Sequence, residues 1–119
     1  MAKLGKTINN VIRGDTRTVS LTFLESDGST PIPLTGGTVY FTVNSSSDPS
    51  SDASVTFQKI ASSGFTDATN GQHTFTLTHT DTDIDPATYW YDAQFVDING
   101  SYLSSFRGKF IVQSDIART

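Results

Sequence analysis

The chain is expected to fold as an all-β domain, an antiparallel β-sandwich of about seven strands ending in a C-terminal hairpin. Three observations lead there. Ser and Thr make up 33 of the 119 residues and Glu occurs once, at Glu25, so strand formers abound while helix formers are scarce. Apolar and polar residues alternate in several short runs, each bounded by Gly, Pro, Asn or Asp. Between the two longest runs lies Asn99-Gly100, the dipeptide preferred in a type I′ hairpin turn, whose two central residues need positive φ. The length suits one domain with a sizeable core, which needs no metal or disulfide to fold.

Taken in order, residues 1–12 carry Leu4, Ile8, Val11 and Ile12 without clean periodicity, and read either as a frayed N-terminal arm or short edge strand, or as an arm that docks on a neighbouring subunit. The sandwich itself is assigned to residues 13–119. Arg13-Gly14-Asp15-Thr16 reads as a turn entering a strand, and a receptor-binding reading of the Arg-Gly-Asp triplet is set aside as too short a match. Thr18 to Leu24 alternates with Val19, Leu21 and Phe23 inward. Asp27-Gly28 ends it, and Pro31 and Pro33 keep the connection unpaired. A second strand, Thr38 to Asn44, points Val39, Phe41 and Val43 inward. Residues 44–53 form a solvated, low-complexity tip. Val55 and Phe57 mark a third strand, with Ile60 out of phase and suggesting a bulge or the strand's end. Gln72 to Thr78 places Phe75 and Leu77 inward.

The stretch from Thr80 to Phe95 holds the densest set of signals and the only Trp. Asp81-Thr82-Asp83 reads as a turn capped by its own carboxylates, followed by Ile84 reaching into the core. Asp85, Ala87 and Tyr89 have the spacing of the tyrosine corner of immunoglobulin-like sandwiches, in which the Tyr hydroxyl bonds backbone a few residues upstream. Tyr89, Tyr91, Ala93 and Phe95 then form an inward face. The returning strand, Tyr102 to Gln113, contributes Phe106, Phe110 and Val112.

Several functions are argued against by composition. The formal charge is −4 with eight Lys and Arg, unsuited to nucleic acid or an anionic membrane surface. No apolar run approaches a membrane span, and the N-terminus has no apolar segment of the secretory kind, so a soluble protein made in the cytosol is expected. Without Cys there is no thiol nucleophile and no Cys-based zinc site. His73 and His79 lie too far apart on one strand to share a metal, and each is expected at a strand end or on the surface. Asp81, Asp83, Asp85 and Asp92 match EF-hand positions 1, 3, 5 and 12, but Pro86 stands where that loop requires Gly, so turn capping is preferred to calcium. No catalytic motif or carboxylate pair is present, and no enzyme activity, metal or cofactor is expected.

What remains is apolar surface on the reverse face. Trp90, Val96 and Ile98 share parity away from the core, with Leu103 and Ile111 adding to them from the partner strand and Leu4 and Ile8 from the arm. A terminal arm or loop could cover this face, or it could be a subunit interface with Trp90 as its anchor. Two other readings are a carbohydrate-binding or adhesin-like sandwich, in which Trp90 and Tyr102 stack on sugar rings, and an inhibitor of a host protein.

The order of signals across residues 12–119 resembles the immunoglobulin-like domain at the N-terminus of phage baseplate upper proteins, found also in many small phage tail proteins. The matching pieces are Ile12-Arg13-Gly14-Asp15-Thr16, Asp27-Gly28, and Pro33-Leu34-Thr35-Gly36. They continue with Leu77-Thr78 through Asp81-Thr82, Pro86 to Tyr89, Tyr91-Asp92, Gly108-Lys109-Phe110 and Ser114-Asp115-Ile116. Ala87 stands where the family usually has Gly, and the chain stops where baseplate upper proteins continue into trimerising and receptor-binding parts. The resemblance implies a virion structural protein, in tail, baseplate or capsid decoration, whose partners are copies of itself and other virion proteins. It carries over no catalytic residues.

Overall fold

The structure, a computed structural model, describes residues 2–4, 7–25, 29–45 and 55–114; the side chains of residues 2–4, 10, 55 and 102–106 lie outside the description. The expected turn at Asp27-Gly28, the tip beyond Ser45 and the closing Asp115-Ile116 also lie outside it. Among the described residues eight strands run in chain order: β1 (Ala2–Leu4), β2 (Ile8–Ile12), β3 (Arg17–Thr22), β4 (Thr38–Asn44), β5 (Val55–Ala61), β6 (Gln72–Leu77), β7 (Ala87–Val96) and β8 (Tyr102–Gln113). Among the described residues the only helical element is one 3-10 turn, Ala68–Asn70, capped by the Asp67 side chain.

The strands form two layers. One sheet has the order β1-β8-β7-β4-β5 with β2 also on β8, and the other is the pair β3-β6. The arrangement of β8-β7-β4-β5 against β3-β6 is that of an immunoglobulin-type sandwich, with β3, β4, β6, β7 and β8 in the positions of strands B, C, E, F and G. The sandwich is not purely antiparallel, because β1 and β2 both pair with β8 in parallel. Residues 2–4 and 8–12 are thus successive edge strands of the chain's own large sheet.

Alternation decides the core. The inward residues of β3 and β6 (Val19, Leu21, Phe75 and Leu77) face those of β4 (Val39, Phe41 and Val43), of β7 (Tyr89, Tyr91, Ala93 and Phe95) and of β8 (Phe110 and Val112). Phe41, fully buried, is the hub, with ring centroids 6.2 Å from Phe75, 5.5 Å from Tyr91 and 6.3 Å from Phe110. Phe23 closes the other end against Phe95 at 6.0 Å. Each such ring removed from water contributes about 1.5–3 kcal/mol.

Three local expectations change. Ile60 lies in regular register opposite Tyr40 and is 57% exposed on the outer face; the bulge comes earlier, between the pairs Val43↔Phe57 and Asn44↔Val55. Its neighbour Lys59 therefore points inward. The β7–β8 hairpin forms, but not around a two-residue turn: Gly100 N–H donates to Asp97 O at 2.9 Å, and Asp97 N–H to Ser101 O at 2.9 Å. The result is a three-residue loop, Ile98-Asn99-Gly100, with Gly100 at φ +82°, and the Asp97 carboxylate accepts from the amides of Asn99 and Ser101. That carboxylate, one residue before the expected turn, fixes its start. His73 stands near the end of β6, as one of the two expected placements has it, but it is buried, its ring edge-on to Phe75 at 4.5 Å and Phe65 at 5.6 Å.

Candidate functional site

Two places gather the residues singled out by the sequence: a corner at one end of the sandwich and the outer face of the large sheet. The corner joins the β2–β3 turn to the β6–β7 connection. Asp15 N–H bonds Ile12 O at 3.0 Å around Gly14, at φ +83°, so Arg13-Gly14 occupies the middle of a β-turn. Arg13 reaches across to Asp83 at 3.0 Å, with Asp85 at 3.8 Å. These side chains are substantially exposed, so the pairs contribute about 0–1 kcal/mol. Gly14 N–H donates to Thr82 O, and the fully buried Thr82 donates its hydroxyl to Asp15 O at 2.7 Å.

The Asp81 carboxylate accepts from the Thr78 amide at 2.8 Å and from its hydroxyl at 3.1 Å, and pairs with Lys59 at 2.6 Å. Burial alone would push this carboxyl up, but Lys59 and Thr78 outweigh it and hold it below the ordinary value. Asp81 thus faces Lys59, Asp83 and Asp85 face Arg13, and Asp92 lies on the sheet. Of the four carboxylates that share EF-hand spacing, only Asp83 and Asp85 stay together, on Arg13.

The Asp85–Ala87–Tyr89 spacing has a geometric counterpart. Tyr89, 9% exposed, donates its hydroxyl to Asp85 O at 2.7 Å, tying the start of β7 to the chain that crosses from the small sheet. Ala87 is exposed at the first position of β7. Ile84 packs against the core from the same connection.

On the outer face, cross-strand rows run from β8 through β7 to β4. Lys109, Trp90 and Asn44 form one row; Arg107, Asp92 and Thr42 the next; Ser105, Gln94 and Tyr40 the third; Tyr102, Val96 and Thr38 the last. Trp90 is half-buried, and Lys109 Nζ sits 5.7 Å from its ring centroid, within cation–π range. Asp92 is half-buried too. Burial raises its carboxyl above the ordinary value, partly offset by Arg107, and its Oδ1 has no hydrogen-bond partner among the described residues.

The proposed apolar patch is smaller than expected. Val96, Ile111 and Trp90 do share this face, and Ile60, missed by the sequence argument, joins it through Tyr40. Ile98 does not belong to a strand: it sits in the hairpin loop, 76% exposed, where parity no longer applies, and its side chain lies beside Gly36. A register shift between Phe95 and Val96 sets Tyr102, and not Leu103, opposite Val96. Ile8 lies off this face: it is half-buried and packs against the chain's own core. Leu4 is registered against Arg107, and its side chain lies outside the described residues.

The sugar platform also fails on register. The Trp90 row and the Tyr102 row are six residues apart along β7, roughly 20 Å, too far for one sugar ring to touch both. No protein-family model matches the chain, and no curated protein matches it.

Proposed function

We propose that this chain is a non-enzymatic structural component of a bacteriophage virion, a tail or baseplate adaptor that packs against copies of itself and neighbouring virion proteins. The observation that carries this reading is the meeting, in one corner, of three of the segments on which the family resemblance rests. Ile12–Thr16, Asp81-Thr82 and Pro86–Tyr89 meet in one corner through Arg13 to Asp83, Gly14 to Thr82, Thr82 to Asp15 and Tyr89 to Asp85. Segments separated by some seventy positions act as one unit that orients β2, β3 and β7.

The ionisable groups support an architectural role. Asp81, Asp83 and Asp97 hold turns, and His73 fills a gap between two aromatic rings. The outer face supplies contact chemistry. Trp90 offers apolar area toward one end of it, while Lys109, Arg107, Asp92 and Gln94 give polar neighbours suited to a specific contact.

Mass spectrometry of purified phage particles tests the reading. The chain is expected there in stoichiometric amount, and its consistent absence from particles made in cells that express it refutes the proposal. Trp90→Ala is expected to leave the free subunit folded and to reduce its incorporation.

A further inference from the structure

Among the described residues, the small sheet has one covered edge and one open edge. On the far side of β6, the Thr74 amide donates to Thr66 Oγ1 at 3.0 Å and Asp67 bridges Gln72, so residues 66–67 cover that edge. Beyond β3, no strand pairs among the described residues. In an immunoglobulin-type sandwich this is the place of strand A, next to strand B. Here the N-terminal strands have gone to the other sheet, both onto β8.

Ladder geometry says what β3 presents. Phe23 N–H bonds Gly71 O at 2.8 Å, in line with the β3–β6 register. Alternation then turns the backbone of Arg17, Val19 and Leu21 toward β6. The N–H and C=O groups of Thr18, Ser20 and Thr22 point the other way. They look into a cavity of about 580 Å³ between β3 and β2, with Ile8, Val19, Leu21 and Tyr91 among its apolar lining. No Pro, Lys or bulge guards these positions, the usual devices of a protected edge.

We infer that β3 is an acceptor edge for an extended strand donated by a different polypeptide, which pairs with Thr18, Ser20 and Thr22 and sets alternate apolar side chains into the cavity. The occupant is a bare strand rather than the face of a second copy. Any second β3 brought to this edge carries its own β6 and β2, and β2 already stands along the other side of the cavity. Charge narrows the donor further. Arg17, whose guanidinium also donates to Asn9 O at 3.0 Å, is the one charged residue among those lining the cavity, so a carboxylate at the donor end beside it complements its charge. For an antiparallel donor that is its C-terminal end. The inference rests on the geometry of β3 and holds whether or not the protein belongs to a virion.

Hydrogen exchange of the full chain, followed by NMR, with the peptide Thr-Val-Thr-Val-Thr-Val-Asp as probe, tests it. The peptide is expected to slow exchange of the Thr18, Ser20 and Thr22 amides by about tenfold or more, saturably, leaving the His79 and Gly100 amides unchanged. Thr-Val-Thr-Pro-Thr-Val-Asp is expected to have no effect. In Ser20→Pro, which removes an amide that faces away from β6, the protection is expected to vanish while the melting transition persists. Three results overturn the inference: unchanged exchange at saturating peptide, equal protection in a folded Ser20→Pro chain, or protection that rises with protein concentration alone. Since the wild-type measurement needs no variant, a Ser20→Pro chain that fails to fold leaves the test intact.

Discussion

Removing the Tyr89 hydroxyl isolates the corner that joins the two sheets. The hydroxyl donates to Asp85 O at 2.7 Å from a ring that is 9% exposed, while Asp85 itself is exposed and its carbonyl can turn to water. Tyr89→Phe therefore removes one neutral hydrogen bond without stranding a buried acceptor, which sets the loss at about 1 kcal/mol. At about 2.1 cal/mol/K per residue, 119 residues give an unfolding entropy of about 250 cal/mol/K, so Tm should fall by about 4 °C. Calorimetry at neutral pH measures this directly. The phenol adds a second signature. Burial, then the Asp85 carboxylate, raise it above its ordinary value of 10.0, against a smaller pull from Arg13. The folded state thus favours the protonated phenol. That contribution is fully present below pH 10 and is lost as pH rises through the raised folded value. The gap between wild type and Tyr89→Phe should therefore narrow on the alkaline side, with Tyr91, raised by its own burial, still contributing in both. A Tm unchanged within about 1 °C at neutral pH refutes the idea that this hydrogen bond holds the corner.

Gly37→Ala is expected to lose about 2 kcal/mol, since its Cβ would fall 2.5 Å from the Phe95 ring and 2.6 Å from the Val96 carbonyl oxygen; Gly64→Ala, with open space around it, should lose only about 1 kcal/mol to its φ of +68°, and equal melting points would contradict the packing. Burial lowers His73 below its ordinary 6.5, so the unfolded chain takes up the proton first and stability should fall as pH drops from 6.5 through the lowered folded value; His73→Leu should flatten that slope in melts between about pH 8 and pH 5. Burial raises Asp92 above 3.8 against the pull of Arg107, so ionised Asp92 opposes folding at neutral pH; Asp92→Asn should gain about 0.5 kcal/mol there, and the gain should fade as pH falls through the raised folded value toward 3.8. A urea titration that shows the same gain at pH 7 and at about pH 3 would exclude ionisation as the cause.

Much of this fold was legible because a strand's side-chain period is two, and burial on one face writes that period into the sequence. Val19/Leu21, Val39/Phe41/Val43, Phe75/Leu77 and Tyr89 through Phe95 all follow it and all lie in the core. The tyrosine corner was legible for a related reason: its hydrogen bond spans four residues and depends on local spacing. Where pairing departs from regularity the argument loses its footing. The register shift near Val96 moved Tyr102 into the place expected for Leu103, and the three-residue hairpin loop took Ile98 off the strand. Parity carries no information across either feature.

By itself, then, the sequence determined the all-β class, the inward faces of six strands and the existence of the final hairpin. These follow from local alternation and turn chemistry. The tertiary structure alone decided which strands lie side by side. It sent residues 2–4 and 8–12 parallel along β8, where Ile8 and Val11 find apolar cover. It turned Lys59 inward to meet Asp81, and brought Arg13 to Asp83. It also left the edge of β3 facing a cavity. No residue of β3 encodes that edge, because an edge is defined by which strands lie beside it, and neighbours in a sheet are chosen by long-range packing.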